Sequence, residues 1–176
     1  YMDHLQSCAD IVIRHPQSLK HMGMRQFVKK VLPLLPPTEE PFDYFGFVRY
    51  PADWLWSWYC YRSRDELRGS PTSTADISFS EFLDGYLAAE RPAYARIGRQ
   101  SMLVRSIRPS LTANRLYRYD NQAAANAYLS ERLGIPVRPE KMLNQSPRRD
   151  MTISLNDIER LERAIPQEFE LYESAR

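Results

Sequence analysis

The chain has 176 residues, 43% of them hydrophobic and 12% aromatic. It is too apolar for a disordered polymer and long enough to bury roughly 70% of its unfolded surface without a disulfide or metal staple. Twenty-four Lys+Arg against 22 Asp+Glu leave a net charge of +2, which argues against a general nucleic-acid binder while leaving room for a local anion pocket.

The only cysteines, Cys8 and Cys60, form no CxxC pair, so neither a disulfide framework nor a zinc site is expected, and a reducing, cytoplasmic compartment fits. No apolar run approaches the ~18 residues of a membrane helix, and no segment reads as a signal peptide. The chain opens at Tyr1, and Ile11-Val12-Ile13 already reads as a buried strand within Asp10 to Arg14, so a segment of the fold is expected upstream. Met24, Phe27, Val28, Val31 and Leu35 recur at helical steps between His21 and Leu35, a helix ended near the Pro33 and Pro36-Pro37 breakers. Tyr44 to Val48 is a second apolar strand, ending at Arg49. Pro51 suits a first helical turn and opens a helix from Ala52 to Arg62 that carries Trp54, Trp56, Trp58, Tyr59 and Tyr61. Arg68 to Ala75 is loop-like; Ser78 with Glu81 has capping-box spacing and opens a helix to about Ala89. Pro92 begins the next helix, reaching toward Arg105. Leu116 to Tyr119 is a third strand, and Ala123 to Leu133 a helix closed by Gly134. Pro139 to Arg149 is a basic loop, and Ser154 with Asp157 starts a final helical region broken near Pro166. Strands separated by helices predict a single α/β domain with a mainly parallel sheet.

In such sheets ligands gather at the carboxyl ends of strands. Arg49 stands at one of these ends, beside the helix opened by Pro51, where a guanidinium and unpaired N–H groups suit a phosphate. Ser57 lies about one and a half turns into the same helix. From these residues alone, an Arg paired with an acid and a Ser packed in a helix are the commoner arrangement. His21, next to Lys20, follows the first strand, and its side chain suits proton transfer near neutral pH; a capping or surface histidine is the alternative. The tryptophans divide between core and a substrate cleft, and Arg148 and Arg149 belong either to an anion-closing loop or to a solvated one.

The stretch from Phe45 to Tyr59, FGFVRYPADWLWSWY, resembles the 3′-phosphate-binding motif of the sulfotransferases. There a strand ends in Arg-x-Pro, an acid often follows, and a Ser comes eight residues after the Arg. Arg49, Pro51, Asp53, Ser57 and Tyr59 occupy those places. Leu19-Lys20-His21-Met22 resembles the segment carrying the family's catalytic base, although here Lys and His are adjacent whereas several members space them by one residue. Leu116 to Asn121 resembles the strand whose Tyr lies near the adenine, which implies that role for Tyr119; Leu143 to Arg148 resembles the C-terminal part of bacterial members, with Arg148 as a second 3′-phosphate contact. Residues 1 to 9 hold no Gly and no Lys, so the family's 5′-phosphosulfate loop has no counterpart, and the chain is expected to begin after it.

The resemblance implies a P-loop NTPase-like three-layer fold lacking its N-terminal strand–loop–helix. It further implies transfer of a sulfuryl group from 3′-phosphoadenosine 5′-phosphosulfate (PAPS) to a hydroxyl or amine of a small-molecule or carbohydrate acceptor, without a metal. The product would be adenosine 3′,5′-bisphosphate (PAP). Arg49, Ser57, Tyr119 and Arg148 would bind the nucleotide, His21 would be the base and Lys20 an electrostatic helper. Without the donor loop, this chain is expected to turn over poorly. Neither nucleic acid nor membrane is an expected partner, and oligomeric state is not legible. Two other readings are a non-catalytic interaction protein of the same fold and a nucleotide kinase-like P-loop enzyme.

Overall fold

The computed structural model describes residues 22–37, 42–106, 113–138 and 153–176. In chain order these form α1 (Met24–Lys30), β1 (Phe45–Val48), α2 (Pro51–Arg62), α3 (Phe79–Leu87), α4 (Gln100–Val104), β2 (Arg115–Arg118), α5 (Gln122–Leu133), α6 (Leu155–Ala164) and α7 (Pro166–Glu173). The protein is mixed α/β with a small parallel sheet. Asp10 to Arg14 and Pro139 to Arg149, read from the sequence as a strand and a loop, lie outside the described residues. The chain divides into two compact units: residues 1–48, 100–142 and 174–176 in one, 49–99 and 143–173 in the other.

In the first unit, β1 and β2 pair in parallel, with Phe45 opposite Arg115 and Val48 opposite Arg118. The ladder runs on through the Tyr119 N–H, which donates to the Val48 carbonyl at 2.8 Å. A parallel pair needs a long crossover, and more than sixty residues separate these strands in sequence. On the other edge of β2, Arg176 donates to the Leu116 carbonyl at 3.0 Å and accepts from the Arg118 N–H at 2.8 Å. This slanted pattern, one residue bridging two that flank Tyr117, is that of a parallel neighbour. Val48, Tyr117, Ala125, Leu129 and Val137 are buried. Ala125 and Leu129 stand one turn apart on α5, which ends where Gly134 takes a left-handed φ of 65°.

The second unit is helical. Ala52, Leu55 and Tyr59 of α2, Phe82, Leu83 and Tyr86 of α3, and Leu161 of α6 share one hydrophobic core. Trp54, Trp56 and Trp58 are partly buried against that core, and Trp56 meets Phe79 edge-on at 4.9 Å between centroids. Packing therefore accounts for the aromatic richness of α2. The Ser78 capping box forms as the sequence predicts: the Ser78 hydroxyl accepts from the Glu81 N–H at 3.2 Å, and the Ser78 N–H donates to Glu81 Oε2 at 2.7 Å. Ser154 caps α6 through its hydroxyl, which accepts from the Asp157 N–H at 3.1 Å, and the chain breaks at Ile165 before Pro166 opens α7.

The helix expected from Pro92 to Arg105 does not form as one element. A short 3-10 turn spans Ala93–Ala95, and α4 begins only at Gln100. The Arg62 guanidinium donates to the carbonyls of Ala93 (2.9 Å), Tyr94 (2.6 Å) and Arg96 (3.2 Å), diverting acceptors that a continuous helix would use itself. Gly98 follows, a residue with low helical preference. The helix expected over His21 to Leu35 is likewise shorter: α1 stops at Lys30, and a 3-10 turn spans Leu32–Leu34 around Pro33.

Candidate functional site

Arg49 and Ser57 belong to the helical unit. Arg49 follows the last residue of β1 and precedes α2 by one residue, Tyr50, whose ψ of 131° breaks the strand into the helix. The Tyr50 ring meets Phe169 and Tyr172 of α7 edge-on, each at 5.5 Å between centroids. These contacts fix the backbone from which the Arg49 side chain departs. Pro51 at the first turn contributes no N–H and carries a fixed φ, so it costs the helix start nothing.

Ser57 stands about 200° around α2 from Leu55 and from Tyr59, both buried. It shares the outward face with the exposed Asp53, one turn earlier, and the exposed Tyr61, one turn later. Six residues of helical rise, about 9 Å, separate it from Pro51, a span an arginine side chain can largely cross. The electrostatics are not uniformly positive here. Burial raises the pKa of the Tyr50 hydroxyl, and the nearby carboxylates of Glu162, Asp53 and Glu173 raise it further.

Tyr119 belongs to the other unit, just past β2. It is half-buried, and its ring meets Phe47 edge-on at 6.4 Å. Lys20, His21 and Arg148 lie outside the described residues. The structure thus puts Arg49 and Ser57 on one short segment and describes Tyr119 within a separate unit. Among the described residues no cluster of His, Cys, Asp and Glu has the make-up of a metal site, and no helix is long and apolar enough to cross a membrane.

One feature of the helical unit escaped the sequence reading. A cleft of about 610 Å³ opens beside the end of α3, lined by Tyr86, Leu87, Arg91, Arg96, Arg99 and Ile165 among others, and not by Arg49 or Ser57. Its only sequence signal is three arginines within nine positions, Arg91 to Arg99, at the start of a stretch expected to be a helix.

No protein-family model, curated protein or solved structure matches the chain.

Proposed function

We propose that this chain is a sulfotransferase-like domain of the P-loop-related three-layer α/β class, which binds PAPS for transfer of its sulfuryl group to a hydroxyl or amine acceptor and, lacking a counterpart of the donor loop, turns over slowly. The observation that carries the reading is the segment from Phe45 to Ser57: a parallel strand, an arginine at its carboxyl end, a proline-opened 12-residue helix, and a serine on that helix's outward face. Each part has a chemical use in holding a ribose 3′-phosphate. The Arg49 guanidinium supplies a planar, permanently charged pair of donors. The first turn of α2 adds the positive end of the helix dipole. The Ser57 hydroxyl can donate to a remaining oxygen.

Holding the nucleotide by its 3′-phosphate fixes where its phosphosulfate lies, and positioning is most of what such a transfer needs. The acceptor oxygen or nitrogen attacks sulfur from the side opposite the bridging oxygen. The bond from sulfur to that oxygen breaks, and PAP leaves with the electron pair. The acceptor's proton passes to His21, with the adjacent Lys20 ammonium countering negative charge on the transferred group. Tyr119 lies against the adenine, and Arg148 supplies a second contact to the 3′-phosphate.

Calorimetric titration with PAP and with ATP tests the reading. Tighter binding of PAP is expected; preference for ATP would point instead to a kinase-like enzyme. In a sulfate-transfer assay His21→Ala should depress the rate while leaving PAP affinity nearly intact, and an unchanged rate would remove His21 as the base.

A further inference from the structure

We propose that the cleft beside α3 is a second anion site, which takes the terminal oxyanion of a sulfate or phosphate monoester of sugar size. It does not depend on the nucleotide reading, because Arg49 and Ser57 do not line it.

Three arginines, Arg91, Arg96 and Arg99, line the cleft, against a single lining acid, Glu90. Their placement is built rather than incidental. Arg91 lies over the Tyr86 ring at 4.1 Å from its centroid and donates to the Ile97 carbonyl at 2.9 Å. The Arg96 Nε donates to the Arg91 carbonyl at 2.8 Å. The turn between them is clamped from below by Arg62, which donates to the Ala93, Tyr94 and Arg96 carbonyls. Arg99 takes part in none of the ion pairs formed among the described residues. Guanidinium groups are thus held together at one opening with donor capacity left over.

The second observation is Tyr86. Its side chain is completely buried, the residue lines the cleft, and its hydroxyl makes no close hydrogen bond among the described residues, with only the Arg99 guanidinium near enough to interact with it. An orphaned buried hydroxyl is destabilising and calls for a partner. Burial raises its pKa, the Arg91 charge opposes this, the buried Glu168 raises it further, and the Arg99 charge and its side-chain interaction with the hydroxyl lower it; the net shift is upward, so the group stays protonated. A tetrahedral ester with three terminal oxygens matches donors arriving from several residues better than a two-oxygen carboxylate does. The volume, about 610 Å³, lies within the range of small-molecule pockets and exceeds what a free ion fills. Leu87, Ala164 and Ile165 supply apolar wall for the body that carries the ester.

Calorimetry with glucose 6-sulfate and glucose 6-phosphate, beside inorganic sulfate and glucose, tests the proposal on the intact chain. At least one ester should bind saturably and more tightly than inorganic sulfate, glucose should not bind, and the tighter ester identifies the natural class. Arg99→Gln should weaken ester binding about ten-fold or more, the worth of a charge-assisted contact. Tyr86→Phe, which keeps the ring and removes only the orphaned hydroxyl, should weaken binding several-fold while leaving the melting temperature unchanged or higher. Arg49→Ala should retain ester affinity. Absence of saturable binding by both esters at millimolar concentration would overturn the proposal. So would unaltered affinity in both Arg99→Gln and Tyr86→Phe, or loss of ester binding in Arg49→Ala.

Discussion

Asp43 shows how much a single side chain can organise in this protein. Its carboxylate accepts from the Tyr128 hydroxyl at 2.7 Å and from the Asn114 amide at 3.2 Å, with Arg115 at 3.6 Å and Arg132 at 3.8 Å. The Tyr128 hydrogen bond, helped by the Arg115 charge, the Asn114 amide and the Arg132 charge, holds its pKa below the usual carboxylate value against the opposing effect of burial, which only the Tyr128 bond outweighs singly. A carboxyl with a lowered folded pKa contributes stability that is fully present above its unfolded pKa, near 3.9, and is lost as pH falls through the folded value. An NMR titration should therefore place Asp43 below a free aspartate, and Tyr128→Phe should move it upward; an Asp43 that titrates identically in both proteins would show that the tyrosine does not hold it. The strand end at Arg49 and the helix opened by Pro51 that carries Ser57 were legible in the sequence, whereas the proposal that the two share one phosphate comes from the motif resemblance. Tyr86 and the three arginines of the cleft were not legible, since an orphaned hydroxyl and a convergence of charges exist only after the chain has folded.

At the scale of elements, local signals decided what could be read. The Ser78–Glu81 box, the Ser154 cap, Gly134 with its positive φ and the Pro166 break all appear where their residues predict them. Each depends on neighbours within about four residues. The segment from Pro92 to Arg105 failed because Arg62, some thirty residues earlier, claims its carbonyls. Thr74 makes the same point: its buried hydroxyl donates to the Tyr59 carbonyl at 2.6 Å, tying the 68–75 loop back to α2. A glycine inside α3 offers a test. Replacing a mid-helix Gly by Ala normally stabilises by about 1 kcal/mol, but a Cβ on Gly85 would stand 2.7 Å from Tyr94 Cε2 and 3.0 Å from Pro92 Cγ. The Tyr94 backbone is pinned by Arg62, so overpacking should reverse the sign. Gly85→Ala is expected to destabilise by about 1–3 kcal/mol in urea unfolding. A stabilised variant would mean that the 92–96 turn yields freely.

At the scale of the whole molecule, alternating apolar strands and amphipathic helices read correctly as α/β, and the observed strand pair is parallel as expected. The division into two units was not legible. No composition shift or linker marks it, because each unit is assembled from segments far apart in sequence. The second of these units starts at the proposed phosphate-binding segment, where Arg49 leaves a strand end and Ser57 lies on the outward face of α2. In the proposed function these two side chains hold one phosphate together. A calorimetric double-mutant cycle measures that most directly, titrating PAP into the unaltered chain, Arg49→Ala, Ser57→Ala and the double variant. Arg49→Ala should lose about 1.5–3 kcal/mol and Ser57→Ala about 0.5–1.5 kcal/mol. The double variant should lose less than their sum by at least about 0.5 kcal/mol, as groups sharing one partner do. Equal affinity for PAP in all four proteins would contradict the account.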